Sequence, residues 1–419
     1  METIGFYPGD ILLPREGFPN WAVVACDQFT SQPEYWQQVE QQVNGHPSTY
    51  GMVFPEAYLE MVDFDEKIAS INQTMEQYDK DGVFREYPNC MVYVERTLKN
   101  GKVRKGVVGL LDLEQYDFNK GSTSLVRATE GTILDRLPPR IRIRENALLE
   151  SPHIVVLIDD EQDHQLEHFH EVIAQREKLY DFDLMQQGGH ISGYRLTDED
   201  VKQLQQSLSR LADPKHFQEK YGVEQSSPLV FAVGDGNHSL ATAKRCYEDV
   251  KRSLPLEQAL QHPARYALVE LNNLHDESLE FEAIHRAVFG VDAALFLQEI
   301  LQYCQNVKGP YPEQQFELVI QGTSQPFTIP HPEHTLTIGS IQQFLDEYVS
   351  RHGGKVDYIH GKDIVKSLSE KGAVGILAPC MQKSELFRTV ILEGALPRKT
   401  FSMGEACDKR YYLECRKIR

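Results

Sequence analysis

Cysteine is scarce and unpatterned in this chain. Seven residues, Cys26, Cys90, Cys246, Cys304, Cys380, Cys407 and Cys415, are scattered over 419 positions with no CxxC pair. An odd, irregular set speaks against a disulfide framework or a zinc knuckle and suits a reducing compartment, so a cytoplasmic location is expected. Long apolar runs are missing too. Stretches such as His153–Ile158 are far too short to span a bilayer, and Met1–Asn20 has no basic region followed by an apolar core, so no membrane association is expected. Positive charge is in deficit: 43 Lys and Arg stand against 62 Asp and Glu, a formal net charge of −19. Nucleic acids are held mainly by neutralising their phosphates with Lys and Arg, so that class of partner is disfavoured. No internal repeat or low-complexity tract is visible.

What is present reads as a mixed α/β protein. A 41% hydrophobic content over this length supports a large core and more than one lobe. Trp21–Cys26 and Met91–Glu95 read as strands, and Gly106–Leu113 (GVVGLLDL) reads as a strand buried on both faces. Pro55–Tyr78 has helical spacing with a break at Asp63 or Asp65, and the spacing predicts helices over Leu166–Tyr180 and Asp198–Leu211. His153–Ile158 and Pro228–Val233 read as further strands, and Tyr411–Ile418 as a basic C-terminal one. The expected division is a lobe over 1–120, a core over 121–290, a small inserted α/β subdomain over 291–352, and a segment over 353–419 that returns to the core.

The sharpest local signal is LVFAVGDGNHSLATAK, Leu229 to Lys244, where an apolar strand runs into Gly-Asp-Gly-Asn-His-Ser and then a helix. A helix start at a sheet edge offers N–H groups and partial positive charge to a phosphate or carboxylate. Gly234 and Gly236 let the backbone approach that anion. Asp235 is a candidate magnesium ligand or proton acceptor, and His238 a candidate donor to a phosphoryl oxygen or general base. The plainer alternative is a simple turn capped by Asn237 or Ser239. The stretch matches neither the Walker nor the Rossmann glycine pattern.

A second signal is LVRATEGT, Leu125 to Thr132, in which Glu130 sits among arginines as a candidate catalytic carboxylate or a surface ion-pair partner. The cations Arg127, Arg136, Arg140, Arg142 and Arg144 form a local positive patch. Arg140, Arg142 and Arg144 alternate with Ile141 and Ile143, which also suits the wet face of a half-buried strand. His285-Arg286 follows an extended run at Phe281. His164-Gln165-Leu166-Glu167-His168 matches a zinc-peptidase pattern, but helix phase places both histidines away from the buried stripe, on a solvated face.

These stretches together carry a family resemblance. WAVVACDQ from Trp21, the run from Leu125 to Ile154, GDGNHSLATAK, FEAIHR, DYIHG from Asp357 and LPRKTFSMGE from Leu396 make the chain resemble the domain-of-unknown-function 1015 family. Through that family it is distantly similar to ParB-like free serine kinases, which implies a ParB/sulfiredoxin-like core. The resemblance gives Glu130 the role of general base, and Asp235, Gly236 and His238 the phosphate-binding turn. Arg127-Ala128-Thr129 stands where Pro-His usually precedes the Glu, Asn237 replaces a His, and Ser239 replaces an Arg. Lys244 and the Arg140–Arg144 group are candidates to restore the missing charge.

The expectation is a small-molecule kinase that uses ATP or ADP with Mg2+ and phosphorylates a metabolite hydroxyl, free serine leading. Asp235 would hold the metal, and Gly234, Gly236, Asn237, Ser239, Arg127, Arg140, Lys244, His285 and Arg286 would hold nucleotide or phosphate. The alternative is a ParB-like nucleotide-binding switch with no metabolite acceptor.

Overall fold

Apolar strands with both faces covered dominate the computed structural model, which describes residues 4–16, 18–132, 134, 137–224 and 227–419. The chain divides into two units. The first comprises Met1–Ala128, Thr132–Leu279 and Gly404–Arg419, and the second Thr129–Gly131 with Glu280–Met403.

The first unit begins with β1 (Phe6–Tyr7), β2 (Gly9–Pro14), β3 (Phe84–Cys90), β4 (Val92–Thr97), β5 (Val103–Asp112), β6 (Tyr116–Asp117) and β7 (Val126–Ala128). It continues with β8 (Leu149–Glu150), β9 (Val155–Ile158), β10 (Lys178–Asp183), β11 (His190–Arg195), β12 (Phe231–Asp235) and β13 (Tyr266–Asn273). Among the described residues, ten of these form one mixed sheet in the order β10-β11-β4-β5-β13-β9-β12-β7-β6, with β1 also paired to β5. β9 runs parallel to β13, and β7 parallel to β12 and β6.

The GVVGLLDL run explains why this sheet is central. Val107 and Leu111 pack on one face with Tyr93, Val269 and Leu271, under Leu204, Leu208 and Leu240 from helices. Val108 and Leu110 pack on the other with Val92, Val94 and Leu268. Burial on both faces removes the need for polar alternation along the strand.

The second unit holds β14 (Phe281–Phe289), β15 (Gln314–Ile320), β16 (Thr323–Ile329), β17 (Lys355–His360), β18 (Val374–Leu377) and β19 (Phe401–Met403). Five of them form the order β16-β15-β18-β14-β17, and β19 pairs with the start of β14. Strands from 291–352 and from 353–403 thus share one sheet. The chain then re-enters the first unit, where β20 (Arg416–Lys417) pairs with β8.

Several sequence expectations hold. The helix predicted over Asp198–Leu211 has those bounds, opened by a capping box in which Thr197 and Asp200 satisfy each other's backbone. The break within 55–78 falls at Asp63, which caps the Phe64–Lys80 helix by accepting from the Glu66 amide at 2.9 Å.

Others are corrected. Trp21–Ala25 is buried but, among the described residues, 21–26 forms no ladder strand and has one β-bridge, Val24 to Arg410. The predicted Leu166–Tyr180 helix is Gln165–Val172, and Tyr180 lies instead in β10, opposite Gly193. Arg140–Arg144 is not a strand face but part of the Leu137–Arg144 helix. Pro138 and Pro139 sit in its first turn, where a fixed φ favours helix and a missing N–H costs nothing. The basic C-terminal strand is confined to Arg416–Lys417. Among the described residues, no helix is long and apolar enough to cross a membrane.

Candidate functional site: a glycine turn at a helix start

The turn after β12 is built by its backbone. Val233 pairs with Val156 and Asp235 with Val155, so Gly234 is the extra residue of a bulge between them. A bulge bends the strand and re-aims the next side chain, here that of Asp235. Gly236 then adopts φ +80°, and a Cβ on it would lie 2.6 Å from the His153 carbonyl oxygen. Both the left-handed backbone and the close approach demand glycine there.

The Asn237–Ser253 helix follows, burying Leu240, Ala241, Thr242, Ala243 and Tyr247. Neither Asn237 nor Ser239 caps it. Gly236 is the N-cap, with no side-chain hydrogen bond, while Asn237 donates its side-chain amide to the Val233 carbonyl at 3.3 Å and Ser239 is exposed. A helix start without a side-chain cap suits an anion.

Charge at the turn is set by three groups from distant parts of the sequence. Asp235 Oδ1 accepts from the Gly236 amide at 2.8 Å, and Oδ2 lies 3.4 Å from His153 Nε2 and 3.1 Å from Lys409 Nζ. Burial alone would raise the Asp235 pKa; the His153 hydrogen bond and the charge of Lys409 instead hold it well below the usual carboxylate range. The carboxylate is therefore ionised, with both oxygens engaged. That geometry does not fit a magnesium ion at Asp235, which would compete with an ammonium for the same oxygen. His153 is buried, and its Nδ1 has no partner among the described residues. His238, in the first helical turn, is partly exposed, and its carbonyl accepts from Thr242 Oγ1 at 2.7 Å.

The expected supporting cations are committed elsewhere. Lys244 donates to the Leu113 carbonyl at 2.9 Å and pairs with Glu248 at 2.7 Å. Arg127, on β7, is 4% exposed and donates to the carbonyls of Ser124 at 2.9 Å and Ser227 at 2.7 Å. Arg140, Arg142 and Arg144 pair with Glu56, Asp65 and Glu150. These three arginines are thus each met by a carboxylate, two of them remote in sequence and the third, Glu150, six residues on. Asp135 and Arg136 lie outside the described residues.

Glu130 and the His285-Arg286 pair belong to the second unit. Glu130 forms a parallel bridge with Leu396, whose amide donates to the Thr129 carbonyl at 2.7 Å. Arg286 is fully buried, donates to the carbonyls of Lys399 and Arg398 at 3.0 Å each, and stands over the Tyr358 ring at 4.9 Å. Burial is the main cause that brings its pKa down to about 10, against the favourable charges of Tyr358, Asp346 and Glu130. Its guanidinium therefore braces the 396–400 segment.

His164 and His168 have side chains 47% and 61% exposed, as helix phase predicts. Among the described residues, no group of three His, Cys, Asp or Glu is placed to hold a metal ion.

His153 and Lys409 are the site residues that sequence reasoning missed. The one signal for His153 was its place at the head of an apolar strand within the SPHI stretch; Lys409 gave none.

The chain belongs to the family described as "Protein of unknown function (DUF1015)", whose model matches residues 8–348. No curated protein matches the sequence. Solved structures that resemble it include a "Free serine kinase in complex with AMP", 12% identical, covering 72% of this chain and 89% of that one, with a TM-score of 0.36. Another is a "Conserved hypothetical protein from Pyrococcus furiosus", 12% identical, covering 70% and 89%, with a TM-score of 0.33.

Proposed function

We propose that this chain binds the phosphate of ATP or ADP at the turn between β12 and the Asn237–Ser253 helix and passes a phosphoryl group to the hydroxyl of a small metabolite. A ParB/sulfiredoxin-like core and free serine as acceptor are part of this reading, on the strength of the sequence resemblance. The observation that carries it is local: a bulge glycine, a left-handed glycine and a helix start without a side-chain cap follow one another, with the Lys409 ammonium 3.1 Å from Asp235 beside them.

A phosphate here would take charge-assisted hydrogen bonds from Lys409 and from first-turn amides, reinforced by the helix dipole. Asp235 acts as a positioning residue: it orients the Gly236 amide and holds Lys409 at the turn. His153 steadies Asp235 from the buried side. No step runs through a metal. The resemblance assigns the base that takes the acceptor's proton to Glu130, a role tested separately from binding.

The test is calorimetric titration of the full chain with ATP and ADP, followed by label transfer to a panel of hydroxy-metabolites that includes serine. Lys409→Gln weakens nucleotide binding by about tenfold, the loss of one charge-assisted contact, while Glu130→Gln leaves binding intact and abolishes transfer. Absence of nucleotide binding by the wild type, or unchanged binding by Lys409→Gln, overturns the reading. Binding without any acceptor-dependent transfer selects the ParB-like switch, which Ser239 in the place of the family's arginine favours.

A further inference from the structure

Two family stretches prove to be neighbours in the second unit. FEAIHR and DYIHG lie on β14 and β17, which pair antiparallel with Ile284 opposite His360, His285 opposite Ile359 and Arg286 opposite Tyr358. Residues directly opposite share a face, so the His285 side chain lies on the side of Ile359. Ala287, two residues on and on the same face, is opposite Gly375, and Gly375 is opposite Val319.

The Lys362–Glu370 helix covers that face. A Cβ on Gly375 would lie 2.5 Å from the side chain of Val365, and Val365 packs with Val319, Leu377 and Ile359. Its first residue, Lys362, reaches to 4.0 Å from Glu317, which is opposite Leu377 in the same set of strands. The start of the helix therefore lies over the end of the sheet where His285 sits.

Two features of this corner are independent of each other. The helix begins after Gly361 at φ +88°, with no side-chain cap and with Lys362 as its first residue. Beneath it, His285 is 3% exposed and its Nδ1 has no hydrogen-bond partner among the described residues. A buried ring nitrogen without a protein partner is available to a water, an ion or a ligand. Burial first, and then the charges of Lys362, Arg286 and His360, lower the His285 pKa, so the ring is neutral and carries one N–H donor.

We propose that His285, Lys362 and the first-turn amides of the Lys362–Glu370 helix form an oxyanion subsite in the second unit that takes the phosphate or carboxylate of a small metabolite. The anion competes with Glu317 for Lys362. That pair is loose, at 4.0 Å with side chains 62% and 44% exposed, and Glu317 keeps Ser324 as a partner. Asp363, exposed in the same turn, opposes binding and limits the affinity. The subsite does not depend on the nucleotide reading of the first unit.

The test is a titration of the full chain, labelled with 15N in its histidine rings, with inorganic phosphate in one arm and acetate in the other. One ring signal, absent from His285→Asn, shifts in a saturable way; Lys362→Gln weakens the response by about threefold or more, the loss of one exposed cation, and Lys409→Gln leaves it unchanged. A response to phosphate alone names a phosphorylated ligand, and one to acetate alone a carboxylate. No response to either anion, a response that survives in His285→Asn, or an unaltered response in Lys362→Gln overturns the proposal. Lys362 is exposed, so its variant folds and decides the matter even where His285→Asn does not.

Discussion

Glu414 makes the first unit less stable as pH rises, and replacing it with Gln reverses that. Its carboxyl is 1% exposed and lines a cavity of about 20 Å³ together with Arg96, Arg104, Glu270, Arg410 and Tyr412. That volume holds about one water molecule. Burial pushes the Glu414 pKa from its ordinary 4.5 up to about 7, opposed by the Tyr180 hydroxyl, which donates to Oε1 at 2.7 Å, while the Glu270 charge adds to the rise.

The sign follows from linkage. Below pH 4.5 the group is protonated in both folded and unfolded chains and costs nothing. Between 4.5 and about 7 the unfolded chain releases the proton while the folded chain keeps it, so stability falls. Above 7 the loss is complete, on the order of 3 kcal/mol. Glu414→Gln keeps the volume and an oxygen for Tyr180 but cannot ionise. Its stability relative to the wild type therefore rises by roughly 2–3 kcal/mol between pH 5 and pH 8.

Urea unfolding followed by tryptophan fluorescence reads this directly, because Trp21 and Trp36 are both fully buried in the first unit. Groups that titrate alike in both proteins cancel in the difference. A difference that does not change with pH, or a variant that is weaker at pH 8, refutes the argument.

Two further outcomes separate scaffold from site. Arg127→Met leaves two carbonyls, those of Ser124 and Ser227, without their donor and lowers stability by about 2–3 kcal/mol, while the nucleotide binding proposed at the turn is unchanged; calorimetry and urea unfolding on one preparation distinguish the two effects. Glu150 is buried against Arg144 and Arg416 and accepts from the Leu268 amide, so Glu150→Gln costs about 3–5 kcal/mol. Burial would raise the Glu150 pKa, but the two arginines lower it overall, so its stabilisation is present above pH 4.5 and disappears only on acidification below that. Wild type and variant therefore converge in stability in acid, and unfolding curves at low and neutral pH check it.

Legibility of the fold followed the range of the forces. Helix 198–211 was readable because its apolar stripe, Val201, Leu204, Leu208 and Leu211, keeps helical spacing within the segment itself. β5 was readable because burial on both faces leaves a continuous apolar run. The 140–144 segment misled because Arg-Ile-Arg-Ile-Arg has a period of two, whereas the preceding prolines and ion pairs to Glu56 and Asp65 support a helix. Tyr180 misled because its partner strand, 190–195, cannot be seen in local periodicity.

The same limit applies to the site. The turn itself, Gly234 to Ser239, was legible as a strand–glycine–helix junction. His153 and Lys409, which set its charge, were not, since only the folded chain brings them to Asp235.

The Gly404–Arg419 segment threads back through the first unit: Lys409 reaches Asp235, Arg410 donates to the carbonyls of Ala22 and Gln186, Tyr412 to that of Ile154, and Arg416 to Glu150. On the ribosome this order has a cost in time. The glycine turn emerges early but waits for its lysine until the whole of 280–403 has been translated, so the nascent first unit carries an unfinished turn that is exposed to chaperones and proteases meanwhile.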